Sequence, residues 1–150
     1  MATETIVLKG RGIREEGVAA DTITPGDLIE RTANPDEVQR HSTAAANAAK
    51  MVAVENEVVG NGIDVDYAAG DNVLFENVQS GQVVFGLVAA GASAITRGDY
   101  LESAGDGTLR LVSSNTATSA SQRAGVIAQA REAVDNSGGA DKVRIRAVIL

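Results

Sequence analysis

Short runs rich in Val, Ile and Leu alternate along this chain with Gly-Asp, Gly-Gly and Asn-Gly pairs, roughly one turn pair for every ten residues. That rhythm leaves room for strands but not for sustained amphipathic helices, and it is the spacing of a β-sandwich or barrel. The clearest strand is the last. Val143, Ile145, Ala147 and Ile149 alternate with Lys142, Arg144, Arg146 and Val148, so one face is apolar and the other begins basic. The turn cluster Asn136-Ser137-Gly138-Gly139 separates it from the run that begins at Arg123 and continues Ala124-Gly125-Val126-Ile127-Ala128. These two runs read as a closing antiparallel pair. A second hairpin is expected over Tyr100–Val112, turning at Gly105-Asp106-Gly107. The run Gln82–Ala89 is apolar on both faces, which suits a central strand or one half committed to an interface.

The turn grammar repeats itself. Ile23-Thr24-Pro25-Gly26-Asp27-Leu28-Ile29-Glu30 returns 72 positions later (95 − 23) as Ile95-Thr96-Arg97-Gly98-Asp99-Tyr100-Leu101-Glu102. Its kernel appears again at Ala69-Gly70-Asp71. In each copy Gly tolerates positive φ and Asp can bond the backbone ahead of it. The plainest reading is recurrent turn chemistry feeding the strands of one barrel. Two segments resist the β pattern. Asn34-Pro35-Asp36-Glu37 has the form of a helix start, and Thr43–Lys50 is Ala-rich, so an irregular or short-helical loop is expected there. Thr5–Lys9 is strand-like, but Gly10–Gly17 is polar and Gly-punctuated. That pattern suits an extended arm over residues 1–17, reaching beyond a single barrel of residues 18–150.

Composition narrows function. The chain carries 20 acidic and 13 basic residues for a net charge of −7, and aromatic residues are only 3%. Nucleic-acid binding is disfavoured on both counts, and no basic amphipathic stretch suits a membrane surface. Absence of cysteine removes disulfides, thiolate chemistry and Cys-ligated zinc. The first residues lack a basic segment followed by an apolar one, so a signal peptide is not expected. His41, the single histidine, stands next to Ser42, but sequence neighbours on a loop rarely form a base–nucleophile pair. Asp64, Asp66, Asp71 and Glu76 lack the spacing of a calcium loop. Gly60-Asn61-Gly62 lacks the pattern of a phosphate loop, and Arg97-Gly98-Asp99 falls inside the repeated turn. The carboxylate pairs Glu15/Glu16 and Glu55/Glu57 would need one pKa raised by burial to serve acid–base chemistry, and Glu55 and Glu57, on one face of a strand end, are expected to stay solvated. No catalytic set, cofactor site or metal site emerges.

The ordered string His41-Ser42-Thr43-Ala44, Lys50–Asn56, Gly60–Asp64, Tyr67–Asp71, Val88–Gly91 and Gly98–Arg110 resembles the small head proteins of tailed phages and archaeal tailed viruses. The opening Ile6–Glu16 and the ending from Ala124 fit the same pattern. Such proteins sit beside the major capsid protein and act as decoration, or cement, proteins. The resemblance implies an all-β virion structural protein, a compact β-barrel on the outer capsid surface, with the major capsid protein as partner and no enzymatic activity. It also implies a homotrimer at threefold or quasi-threefold positions and an N-terminal arm that reaches neighbours. On that reading the arm contacts are expected at Ile6, Val7, Leu8, Ile13 and Arg14, and the subunit interface at Phe85, Leu87 and Tyr100. A virion-displayed module binding a host surface or glycan is the alternative, although such sites favour exposed aromatics. A hydrolase built on Asp64–Asp71 ranks third.

Overall fold

The computed structural model describes residues 5–112 and 124–150. Its strands are β1 (Val7–Lys9), β2 (Ile13–Ala19), β3 (Leu28–Arg31), β4 (Glu37–Arg40), β5 (Met51–Ala53), β6 (Asn72–Asn77), β7 (Val83–Val88), β8 (Tyr100–Ser103), β9 (Leu109–Leu111), β10 (Val126–Ala130) and β11 (Val143–Ile149). One 3-10 turn spans Glu57–Val59. The all-β expectation holds, and so do the Tyr100–Val112 hairpin, seen as β8 against β9, and the closing pair β10–β11. Arg123 lies outside the described residues. The apolar run over Gln82–Ala89 is β7, flanked by β1 and β11.

The strands close into two rings, not one. The first barrel runs β2-β4-β3-β5-β6. In the second, β7-β11-β10-β8-β9 is joined into a ring by the parallel pairing of β9 with β7, where the Ala89 N–H donates to Leu109 O at 3.0 Å. Both rings have the same connectivity. Each contains one parallel pair, β2–β4 and β7–β9, and its other pairings are antiparallel in the same order.

Register repeats as well. The cross-strand set Ile29↔Met51↔Asn77 recurs as Leu101↔Ala128↔Ile149. Glu16↔Leu74 recurs as Phe85↔Arg146, which places Gly17 and Gly86 in equivalent positions. The isolated bridge Ile23↔Tyr67 recurs as Ile95↔Val134. The sequence echo is therefore the visible part of a fold-wide repetition, where turn chemistry within one barrel was the expectation.

Turn geometry explains why the echo survives. At Thr24, Ala68 and Thr96 the backbone N–H donates to the carboxylate of Asp27, Asp71 and Asp99, each at 2.8 Å. The preceding glycines, Gly26, Gly70 and Gly98, have φ of 100°, 90° and 97°. A side chain would be strained at those angles. Gln79-Ser80-Gly81-Gln82 is a fourth example, in which the Gln82 amide oxygen receives the Gln79 N–H.

The interior of the first barrel is Ile23, Ile29, Val38, Met51, Tyr67, Val73 and Phe75 with small residues between them. A second cluster fills the other barrel with Ile95, Leu101, Leu109, Ile127, Ile145 and Ile149. It extends into the first barrel's outward-facing Leu28, Val52 and Val54. One apolar mass thus joins the barrels. β-branched and aliphatic side chains supply nearly all of it, as a chain poor in aromatics requires.

Two local expectations are corrected. Asn34–Glu37 does not start a helix. It is the turn between β3 and β4, tied by the Thr32 hydroxyl and Asn34 amide to the Glu37 carboxylate, with Asp36 at φ 58°. Residues 6–17 do not hang free either. β1 leaves the first barrel and adds to β7 of the second barrel of the same chain, and residues 13–17 are part of β2. The boundary expected between residues 17 and 18 therefore falls inside a strand.

Candidate functional site

The two barrels meet around a buried polar set that the sequence did not single out. Asp27 follows the turn before β3 and is completely buried; its Oδ2 receives the Thr24 N–H while Oδ1 has no hydrogen-bond partner. Lys142, from the loop before β11, places Nζ 3.5 Å from that Oδ1 and donates to the Thr24 hydroxyl at 2.7 Å. Burial pushes the Asp27 carboxyl up to about 6, against the pull of Lys142, the Thr24 N–H and Arg40. Beside it Arg144, whose guanidinium stacks over the Phe85 ring, donates to Pro25 O and Ile63 O, each at 2.6 Å. Arginine's planar fork lets one side chain tie two backbone carbonyls of the first barrel to the second.

His41 is part of the same junction. Its expected place on a polar loop is corrected: the ring is buried, with Nδ1 2.7 Å from Ser103 Oγ and Nε2 3.3 Å from Asn47 O. Glu30 Oε2 lies 3.7 Å from Nε2, which gives the order carboxylate–imidazole–hydroxyl. The arrangement is structural and not catalytic, because Ser103 is fully buried and a substrate carbonyl has no approach to its Oγ. Ser42, the sequence neighbour, instead donates its hydroxyl to Glu30.

The other sequence candidates disperse. Asp71 caps its own turn, Asp64 lies 3.5 Å from Arg144, and Glu76 is buried where it accepts from the Gly12 N–H and the Gln82 amide. Among the described residues no group of three or more His, Cys, Asp or Glu is placed to hold a metal ion. Gly60 ends the 3-10 turn at φ 78°. Glu57 is exposed and paired with Arg14, whereas Glu55, expected to be solvated, is buried and accepts the Ile6 N–H at 3.0 Å. Among the described residues no helix is long and apolar enough to cross a membrane.

Of the expected arm contacts, Ile6 is wholly buried, Val7 and Leu8 are half-buried in or beside β1, and only Ile13 and Arg14 are exposed. Of the expected interface residues, Leu87 is buried within the chain, Phe85 is half-buried under Arg144, and Tyr100 is exposed. A cleft of about 420 Å³ runs along Thr5, Val7, Gly10, Arg11, Gly12, Arg14 and Glu76. Beside it the loop after β5 carries Val58 and Val59, 80% and 65% exposed, on the 3-10 turn. Nothing in the periodicity marks these valines as exposed, since Val58-Val59 reads like any strand fragment.

No protein-family model matches the chain, and no curated protein matches it in sequence. Among solved structures it is similar to the head fiber gp8.5 N base of bacteriophage phi29, with a TM-score of 0.57 and 16% sequence identity, over 92% of this chain and 93% of that one. The likeness is one of fold, and it takes in both barrels.

Proposed function

We propose that this chain is a virion structural protein of a tailed virus, which binds the outer surface of the assembled capsid through the major capsid protein and stabilises the shell. The observation that carries the reading is the shared fold over 92% of the chain with a head fiber base of a phage. The string of turn motifs, similar to those of capsid decoration proteins, supports the same class independently of that likeness. The chemistry agrees. A net charge of −7 suits a surface facing away from packaged DNA, and the buried His41–Ser103 pair serves the barrel junction and not a reaction.

A homotrimer at threefold or quasi-threefold positions completes the reading. Three copies bound together multiply modest contacts through effective concentration. The test is co-sedimentation of the purified protein with mature and immature capsids that lack it, together with sedimentation equilibrium of the protein alone. Saturable binding and a trimeric mass are expected. Absence of binding to either shell would overturn the reading, and binding to host cells without capsid would replace it with the display-module alternative.

A further inference from the structure

We infer that the loop of residues 55–66 is the capsid-docking element, and that it seats in an apolar pocket rimmed by lysine or arginine on the major capsid protein. The inference rests on the functional reading above and gives it a surface and a complementary chemistry.

The internal repetition isolates this loop. After β5 the Val54 N–H donates to Leu74 O, and after β10 the Arg131 N–H donates to Arg146 O, so Val54 and Arg131 are equivalent. The next equivalent positions are the bridging residues Tyr67 and Val134. The second barrel crosses that step with Glu132 and Ala133 alone, whereas the first takes residues 55–66. A barrel of this connectivity closes without the excursion.

The tip of the excursion exposes what folding would hide. Val58 and Val59 are 80% and 65% exposed, more than any other large apolar residue among those described. A solvated turn gains nothing from two adjacent valines there, and exposed apolar clusters of this kind mark contact sites. The second barrel supplies the contrast. Its own long connection, residues 135–142, is polar and self-satisfied, with Asn136 donating to Ala89 O and Asp141 O and Asp135 accepting from Ser137.

The loop is also rigidly presented. Glu55 at its root is buried on the Ile6 N–H, Ile63 is buried with its carbonyl held by Arg144, and Glu57 is paired with Arg14 at the start of β2. Ile13, next to Arg14 at the start of β2, is itself 64% exposed. The pre-formed shape lowers the ordering cost of binding.

Charge names the partner. Of the carboxylates in residues 55–66, Glu55 is buried and Glu57 is paired with Arg14, which leaves Asp64 and Asp66 exposed in a segment with no Lys or Arg of its own. An apolar tip with an acidic skirt is complementary to an apolar pocket with a basic rim. The N-terminal residues Ile6 and Val7, in contrast, are committed to the chain's own core.

The test uses full-length protein and capsids assembled without it. Val58→Ser with Val59→Ser removes only exposed methyl groups, and an unchanged urea midpoint verifies the fold. Wild-type protein and Leu150→Ser, on the other barrel, are expected to co-sediment equally, and the double variant to bind at least about tenfold more weakly. Wild-type affinity is also expected to fall between about 0.1 M and about 1 M salt, as the screening length shortens from about 10 Å to about 3 Å. Binding of the double variant at wild-type affinity would overturn the loop assignment while leaving capsid binding intact, and salt-independent binding would overturn the basic rim. Failure of wild-type protein to bind would overturn the functional reading itself.

Discussion

Asp27→Asn separates the electrostatic cost of the barrel junction from its packing. The carboxyl is fully buried and sits at about 6 where an ordinary aspartate sits at 3.8. The folded chain therefore holds a proton that the unfolded chain has already released between those two values. Below about 3.8 both states are protonated and no penalty exists. As pH rises through 3.8 the unfolded state ionises first, stability falls, and the loss is complete once the folded carboxyl ionises near 6. At about 1.4 kcal/mol per pKa unit, the penalty at neutral pH is about 3 kcal/mol. Asparagine keeps the oxygen that receives the Thr24 N–H and never ionises. Lys142 has already lost its charged partner when Asp27 is protonated, so that loss is common to the acid end of the comparison. The stability difference, variant minus wild type, is expected to grow by about 3 kcal/mol between pH 3.5 and pH 7.5. Glu30, Glu37 and Asp135, whose carboxyls are all held below their ordinary values by hydrogen bonds, act in both proteins and cancel. Urea titrations followed by far-UV circular dichroism across that range read the difference directly. Parallel pH profiles for the two proteins would refute the argument, because they would mean that Lys142 and the turn fully offset burial.

The repeated turn offers an internal control: Gly98→Ala meets open space at φ 97° and is expected to cost about 1–2 kcal/mol of backbone strain. Gly26→Ala at φ 100° would add a methyl 2.6 Å from Arg144 Nη1 and 2.9 Å from Phe85 O, so its urea midpoint should fall further; equal losses would remove Gly26 from the junction. Ile6→Ala, in the segment expected to be an outward arm, should destabilise by about 2–5 kcal/mol in the same assay, because that side chain is completely buried. A near-neutral result would restore the free-arm reading.

What was legible in the sequence was local, and what escaped it was relational. Alternation along Val143–Ile149 and the Gly-Asp punctuation locate strands and hairpins, because side-chain period and positive φ are properties of a few adjacent residues. Barrel number is not such a property. The two halves share their register through backbone hydrogen bonds that leave side chains free to diverge, so Glu16 and Phe85 occupy equivalent places with opposite chemistry. Only the Gly-Asp turn, where geometry restricts the residue type, retained a readable echo. Asp27 and Asp99 look identical on paper and make the same 2.8 Å bond. One is sealed between barrels beside Lys142 while the other is half-buried at the edge of its turn.

The divergence itself bears on function. In the first barrel the outward positions Leu28, Val52 and Val54 are apolar and join the core of the second. The equivalent positions of the second barrel are Tyr100, Gln129 and Arg131, placed so by the shared cross-strand partners and the Arg131 N–H bond to Arg146 O. A unit that repeated its apolar face would go on adding barrels; polar outer residues stop the series at two, as capping repeats do in longer arrays. With Gln129 and Arg131 at two of those positions and β1 laid along β7, the large apolar side chains exposed among the described residues are Ile13 and Val18 of β2, Val58, Val59 and Val65 of the loop of residues 55–66, Tyr100 and Leu150. Val58 and Val59, 80% and 65% exposed, are the most exposed of that set. Their exposure is the strongest reason to look for the partner at that end of the molecule.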